Sequence, residues 1–180
     1  MQRIVSDTGP LLALGILNRL NLLVKLYTTI YVSTEVKEEL DRGAAKYPDA
    51  RNALKAVNKG WLTKTSVDQV FRRRVEELMR GPPKLGKAQA ESIALCKQLN
   101  IDLLLVDDED AVKVAQRQGI RTIHGLDILI NATKKRLISP SEAIGYINKF
   151  RQAGEYGEED LREAENRIKV LRSDSNHGKG

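Results

Sequence analysis

The chain shows two kinds of hydrophobic spacing, and the switches between them predict its elements. Short unbroken apolar runs predict buried strands, whereas apolar residues three and four apart predict helices. "RIVS" at Arg3 to Ser6 is the first strand. Leu11, Leu12, Leu14, Ile16, Leu17, Leu20, Leu22 and Leu23 then predict a helix or a helix pair, broken near Asn18 to Asn21. Thr8 is a suitable cap for it and Pro10 suits a first turn. "TTIYV" at Thr28 to Val32 is a second strand. "STEVKEELDRG" predicts a short helix with Ser33 or Thr34 as cap, Glu35 in its first turn and Gly43 as its stop.

Helical spacing returns from Pro48 to Lys59, and "WLTKT" from Trp61 is a short strand. A helix from Ser66 or Val67 to Arg80 ends at Gly81-Pro82-Pro83, and another spans Gly86 to Leu99. "IDLLLVDD" is the clearest strand, an apolar run closed by two acids. A helix from Glu109 to Gln118 stops at Gly119, and "IRTI" is the last strand. Helices follow over Leu126 to Arg136, Pro140 to Phe150 and, highly charged, Glu158 to Leu171; disorder is expected from Ser173 to Gly180. Buried-looking strands alternating with helices predict an α/β fold: a parallel sheet in a three-layer α/β/α sandwich. Residues 1–150 are read as one domain, and residues 151–180 as a charged C-terminal helix and tail.

Composition removes several function classes. Hydrophobic residues are 41% and charged residues 30% of 180, as in ordinary folded domains. No apolar run reaches the ~18 residues of a membrane span. The chain starts directly on a strand without a basic leader, so a cytoplasmic protein with no membrane partner is expected. A single cysteine, Cys96, excludes an intrachain disulfide, and two histidines, His124 and His177, exclude a Cys/His zinc site. Cys96 falls in a helical pattern and is read as core. The net charge of +6 equals the excess between Lys55 and Lys87, where nine Lys or Arg face three acids. That stretch is either a solvated helix face or a surface for phosphate backbones.

Acids supply the candidate chemistry. In an open α/β sheet the site lies at the carboxyl ends of the strands. Asp7 follows the first strand, and Asp107-Asp108 follow "LLLV", so parallel strands would deliver them to one edge. In "VKEEL", Glu39 lies beside the apolar stripe and Glu38 further out. Glu91 lies at the margin of the face formed by Ala88, Ser92, Leu95 and Leu99. Each acid alone reads as a helix cap or a surface glutamate. Together, four or five carboxylates on one edge require a cation, and Mg²⁺ or Mn²⁺ suits an oxygen-only site.

"VSDTGPLLAL", "VKEEL", "LGKAQAESIALCKQLNIDLLLVDD" and "AVKVAQRQGI" occur in the order found in PIN-domain proteins. The chain resembles that family from about Arg3 to Phe150, and most closely its nucleic-acid-binding subgroup related to VapC-type toxin ribonucleases. The resemblance implies a Mg²⁺- or Mn²⁺-dependent endoribonuclease cleaving RNA phosphodiester bonds, often the toxin of a toxin–antitoxin pair with an antitoxin partner. It implies Asp7, Glu39, Glu91 and Asp108 as catalytic acids. Asp7, Glu91, Asp107 and Asp108 are the implied metal ligands, and Thr8 a supporting hydroxyl. Relatives commonly carry Gly-Glu where this chain has Ala88-Gln89, so Gln89 is expected to orient water rather than ligate. Arg72, Arg73, Arg74, Arg80, Lys84 and Lys87 are the expected RNA-guiding cations. With aromatics at 4%, base stacking contributes little.

Rival readings are weaker. Asp7-Thr8-Gly9 is an aspartic-protease triplet, but that fold is nearly all β and this chain is helical after Gly9. "DTGPLLALG" lacks the glycine spacing of a dinucleotide or P-loop site. A phosphatase usually places a second Asp two residues after the first, where Gly9 stands. The alternative carried forward is a non-catalytic PIN-like module that binds RNA or a protein. Leucines of the first helices suit either a core or a homodimer surface.

Overall fold

A computed structural model describes residues 2–177. Among them the chain forms five strands and ten helices, in two compact units, Met1–Gly125 and Leu126–Gly180. The first unit holds the whole sheet. Its strands are β1 (Arg3–Ser6), β2 (Thr29–Ser33), β3 (Thr63–Thr65), β4 (Leu103–Leu105) and β5 (Arg121–Ile123). All neighbours pair in parallel, in the order β3-β2-β1-β4-β5. The order reverses between β1 and β4, the switch point at which open α/β sheets bind ligands.

The helices of this unit are α1 (Thr8–Leu17), α2 (Asn21–Leu26), α3 (Thr34–Ala44), α4 (Pro48–Asn58), α5 (Gln69–Arg80), α6 (Lys87–Gln98) and α7 (Glu109–Arg117). Right-handed crossovers put α1 to α4, which step towards β3, on one face and α5 to α7 on the other. Alternation along β1 matches this division. Val5 joins the core formed with Ile93, Leu95, Leu104, Ala111 and Ala115, while Ile4 points to the opposite face, and both are fully buried. Burial on both faces explains why the strands read as unbroken apolar runs.

The expected helix pair is present. Asn18 adopts a left-handed conformation (φ 54°, ψ 43°) that ends α1, and its backbone N–H bonds to Gly15. Leu11, Leu14, Leu17, Leu20, Leu22 and Leu23 are buried, so this leucine run is core. Gly15 permits the α1–α4 contact, because a Cβ there would lie 2.3 Å from the Asp49 carbonyl oxygen.

The second unit contains α8 (Gly125–Lys134), α9 (Pro140–Ala153) and α10 (Glu158–His177). Ser139 and Glu142 close a capping box at the start of α9, and Gly154 ends it at φ 67°. Arg151 of α9 pairs with Glu158 at 2.8 Å and Glu165 at 2.9 Å of α10. The helix expected to stop at Leu171 continues to His177, a correction to the disorder expected from Ser173. No glycine or proline interrupts residues 158–177. Residues 178–180 of the expected tail lie outside the described residues. Among the described residues no helix is long and apolar enough to cross a membrane.

Candidate active site

The acids after β1 and β4 meet at the switch point. Ser6 pairs with Leu105, and the Asp7 amide donates to the Leu105 carbonyl at 2.9 Å, so β1 and β4 end side by side. A Cβ on Gly9 would stand 4.0 Å from Asp107 Oδ2, which brings the start of α1 against the end of β4.

Asp7 is 6% exposed, and its Oδ1 is buried with no hydrogen-bond partner. Its carboxyl is pushed up from 3.8 to about 7. Burial is the largest cause; the charges of Glu39, Asp107 and Asp108 raise it further, while a backbone hydrogen bond from Thr8 opposes them. A desolvated carboxylate among other carboxylates is stable only if protonated or joined by a cation.

The neighbours of Asp7 are held by local structure. Glu39, in the second turn of α3, is half-buried, whereas Glu38 is exposed. The Thr8 hydroxyl donates to Glu39 Oε2, which fixes that carboxylate beside the start of α1. Asp108 is the N-cap of α7, with Oδ1 accepting from the Ala111 amide at 2.8 Å. Asp107 Oδ1 accepts from the Gly125 amide at 2.7 Å and lies 3.3 Å from His124 Nε2. His124 directly follows β5, so three adjacent strands deliver side chains to this edge. Its place just after a strand is the sequence signal for it, whereas a Cys/His zinc criterion discounts a lone histidine.

Glu91 belongs to a different cluster. Its Oε2 accepts from the Glu35 amide at 3.0 Å, in the first turn of α3. The Glu35 carboxylate, its side chain 9% exposed, meets Arg42 at 2.7 Å and Lys87 at 2.5 Å. Lys87 Nζ also stands 4.0 Å from Glu91 Oε1. Hydrogen bonds from Lys87 and then Arg42 hold the Glu35 carboxyl below its usual range. Gln89 is occupied locally, with its Oε1 accepting from the Gly86 amide at 2.9 Å to close the first turn of α6.

The expected RNA-guiding cations divide similarly. Phe71, Val75, Leu78 and Met79 turn towards the core and leave the polar side of α5 outside. There Arg73 pairs with Glu77 at 3.1 Å and Arg80 with Glu76 at 3.5 Å. Arg74 donates to Gln118, Lys87 is held by Glu35, and Arg72 and Lys84 are exposed. Cys96 is buried, and burial pushes its thiol up to about 12.

A divalent cation fits the Asp7 edge by its chemistry: a buried carboxylate oxygen without a donor, with three further carboxylates acting on it. Among the described residues no group of three or more His, Cys, Asp or Glu is arranged to hold a metal as it stands. Mg²⁺ commonly takes only one or two carboxylates and keeps several waters, so the two observations agree.

Comparisons with known proteins address the same region. No curated protein matches the sequence. The fold is similar to that of Mycobacterium tuberculosis VapC20, described as a sarcin–ricin-loop-cleaving toxin, with a TM-score of 0.50 at 18% identity. That match covers 62% of this chain and 94% of VapC20. The family DUF3368, described as a PIN domain, matches residues 3–168, from β1 through most of α10. The chain therefore belongs to the PIN-domain family.

Proposed function

We propose that this protein is a Mg²⁺- or Mn²⁺-dependent endoribonuclease whose centre is the Asp7 edge. The observation that carries the reading is Asp7 itself: buried, with an unpartnered Oδ1 and a carboxyl raised to about 7 at the sheet's switch point. Asp7, with one of Asp107 and Asp108, would hold the ion, and water would complete its shell. When bound, a divalent ion polarises a phosphodiester oxygen and makes water a stronger nucleophile at neutral pH.

The chain's own groups do the positioning. The Thr8 hydroxyl holds Glu39 in one orientation, from which it can accept a proton from water. The Gly125 amide and His124 orient Asp107, and the cap to Ala111 orients Asp108. Glu91 acts one step back, by fixing the first turn of the helix that carries Glu39. Exposed Arg72 and Lys84 supply charge for the RNA backbone, an attraction that weakens with salt. In a toxin role, an antitoxin protein would neutralise this activity.

The test is cleavage of unstructured RNA and of a sarcin–ricin-loop hairpin, with Mn²⁺, with EDTA, and with Asp7→Asn. Cleavage that needs Mn²⁺ and disappears in the variant supports the reading; cleavage indifferent to EDTA and to Asp7→Asn refutes it. One observation favours the second reading, a non-catalytic RNA-binding module: Gln89 is neutral and committed to its helix turn. Saturable RNA binding without cleavage in either metal would select that reading.

A further inference from the structure

The turn that joins α8 to α9 carries Lys134, Lys135 and Arg136 in succession, and all three are exposed. None of them has an acidic partner among the described residues. Cations elsewhere in the same unit are held by acids. Arg151 meets Glu158 and Glu165, Arg162 meets Glu158 at 3.0 Å, and Arg167 meets Asp127 at 2.9 Å.

The backbone of this turn adds a second observation. The Arg136 amide donates to the Thr133 carbonyl at 2.9 Å, and the Leu137 amide to the Ala132 carbonyl at 2.8 Å. These two bonds make a Schellman ending for α8, with Arg136 in its left-handed position at φ 57°. Glycine is the usual occupant, because a Cβ there crowds the following carbonyl. The other described residues at positive φ are Asn18, Asn100, Gly60, Gly119 and Gly154. Arg136 alone among them places a long side chain in this conformation. The helix dipole accounts for a cation in the last turn, where Lys134 stands, but not for one at the strained position after it. Packing does not require the Arg136 side chain either, since it is exposed.

Three cations without acids, on a turn fixed by its own backbone bonds, suit a polyanion. A membrane surface or a protein partner would need apolar groups beside the charge. Here Ile138 is buried and Leu137 half-buried. A phosphate backbone needs the charge alone. We propose that the Lys134-Lys135-Arg136 turn binds the phosphate backbone of RNA, as a contact additional to the Asp7 edge. The inference rests on the reading that RNA is this protein's ligand, and not on cleavage.

The test is the fluorescence anisotropy of a labelled single-stranded RNA, titrated with the full chain across a salt series. Working in EDTA with the Asp7→Asn background makes binding the readout, so failure here is distinct from failure of metal-dependent cleavage. Combining Lys134→Gln, Lys135→Gln and Arg136→Gly should flatten the slope of log affinity against log salt by about 2, at ~0.7 for each lost phosphate contact. Arg136→Gly alone should weaken binding while its thermal midpoint stays level or rises, because glycine relieves the left-handed position. A turn with only a structural role would keep its affinity in that variant. Arg162→Gln is the charge-matched control: its partner Glu158 also meets Arg151, in the last turn of α9, about 20 Å along that helix from the turn. It should leave the slope unchanged. An unchanged slope in the triple variant, an equal loss in Arg162→Gln, or absence of RNA binding overturns the proposal. So does binding of poly-glutamate or of phosphatidylserine vesicles that depends on these three residues while RNA binding does not.

Discussion

Asp7 and Glu35 expose nearly the same small share of their surface, 6% and 7%, with Asp7 the more strongly desolvated, and both stand close to the carboxyl edge of the sheet. Their electrostatics are opposite. Glu35 is met by Lys87 and Arg42 and is held below its usual range. Burial first, and then the charges of Glu39, Asp107 and Asp108, push Asp7 up to about 7. Low exposure alone does not distinguish a structural carboxylate from a functional one. The distinction lies in whether the chain supplies the compensating cation. Around Glu35 it does, and the result is an ion cluster tying α3 to α6. Around Asp7 it does not, and the unfilled requirement marks the candidate centre.

The largest expected effect breaks this contrast at Asp7. Asp7→Asn keeps the shape and removes the charge, so metal-dependent RNA cleavage should fall by at least about a hundredfold in a single-turnover assay. The second effect is the opposite pH dependence of the two carboxylates. With Asp7 raised from 3.8 to about 7, the metal-free fold keeps this contribution below about pH 4 and loses it as pH rises through about 7. Over that interval the loss is on the order of 4 kcal/mol at most. Glu35, held below its normal value, contributes stability above its unfolded pKa of 4.5 that is lost as pH falls through its lower folded value. Denaturant unfolding of wild type, Asp7→Asn and Glu35→Gln in EDTA separates them. The slope between pH 4 and 7 should vanish only in Asp7→Asn, and the acid-side loss should shrink only in Glu35→Gln.

Smaller effects sharpen the comparison. Lys87→Met should make Glu35 resemble Asp7 by removing its closest cation. Since Lys87 is half-exposed and screened, the expected cost in urea is about 1 kcal/mol, with the acid-side loss of stability moving to higher pH. Arg42 is the more exposed partner, and Arg42→Ala should change the urea midpoint less than Lys87→Met does.

How much of this was legible in the sequence follows from the range of each interaction. The sheet was legible because its strands are buried on both faces and read as apolar runs. Asp7, Asp107 and Asp108 were legible because strand ends share an edge in a parallel sheet. Glu39 could be separated from Glu38 by its place beside the apolar stripe. The Glu35 cluster was not legible: its defining partner, Lys87, arrives from a helix 52 positions later. The same long-range pairing joins Glu91 and Lys87 to Glu35 in one cluster, which local pattern does not show. Gln89 closes a local helix turn, and a capping glutamine and a water-orienting one look alike in sequence. The close α1–α4 contact depends on Gly15, a packing detail that no period encodes.

The most direct measurement is thermal unfolding of wild type and Asp7→Asn at pH 7.5 across a Mn²⁺ titration at constant ionic strength. The wild type should be stabilised saturably, by about 2.7 kcal/mol at a hundred times the dissociation constant, and Asp7→Asn should not respond. An equal response of the two proteins, or none in the wild type, would contradict the assignment of Asp7 as a carboxylate built to receive a cation.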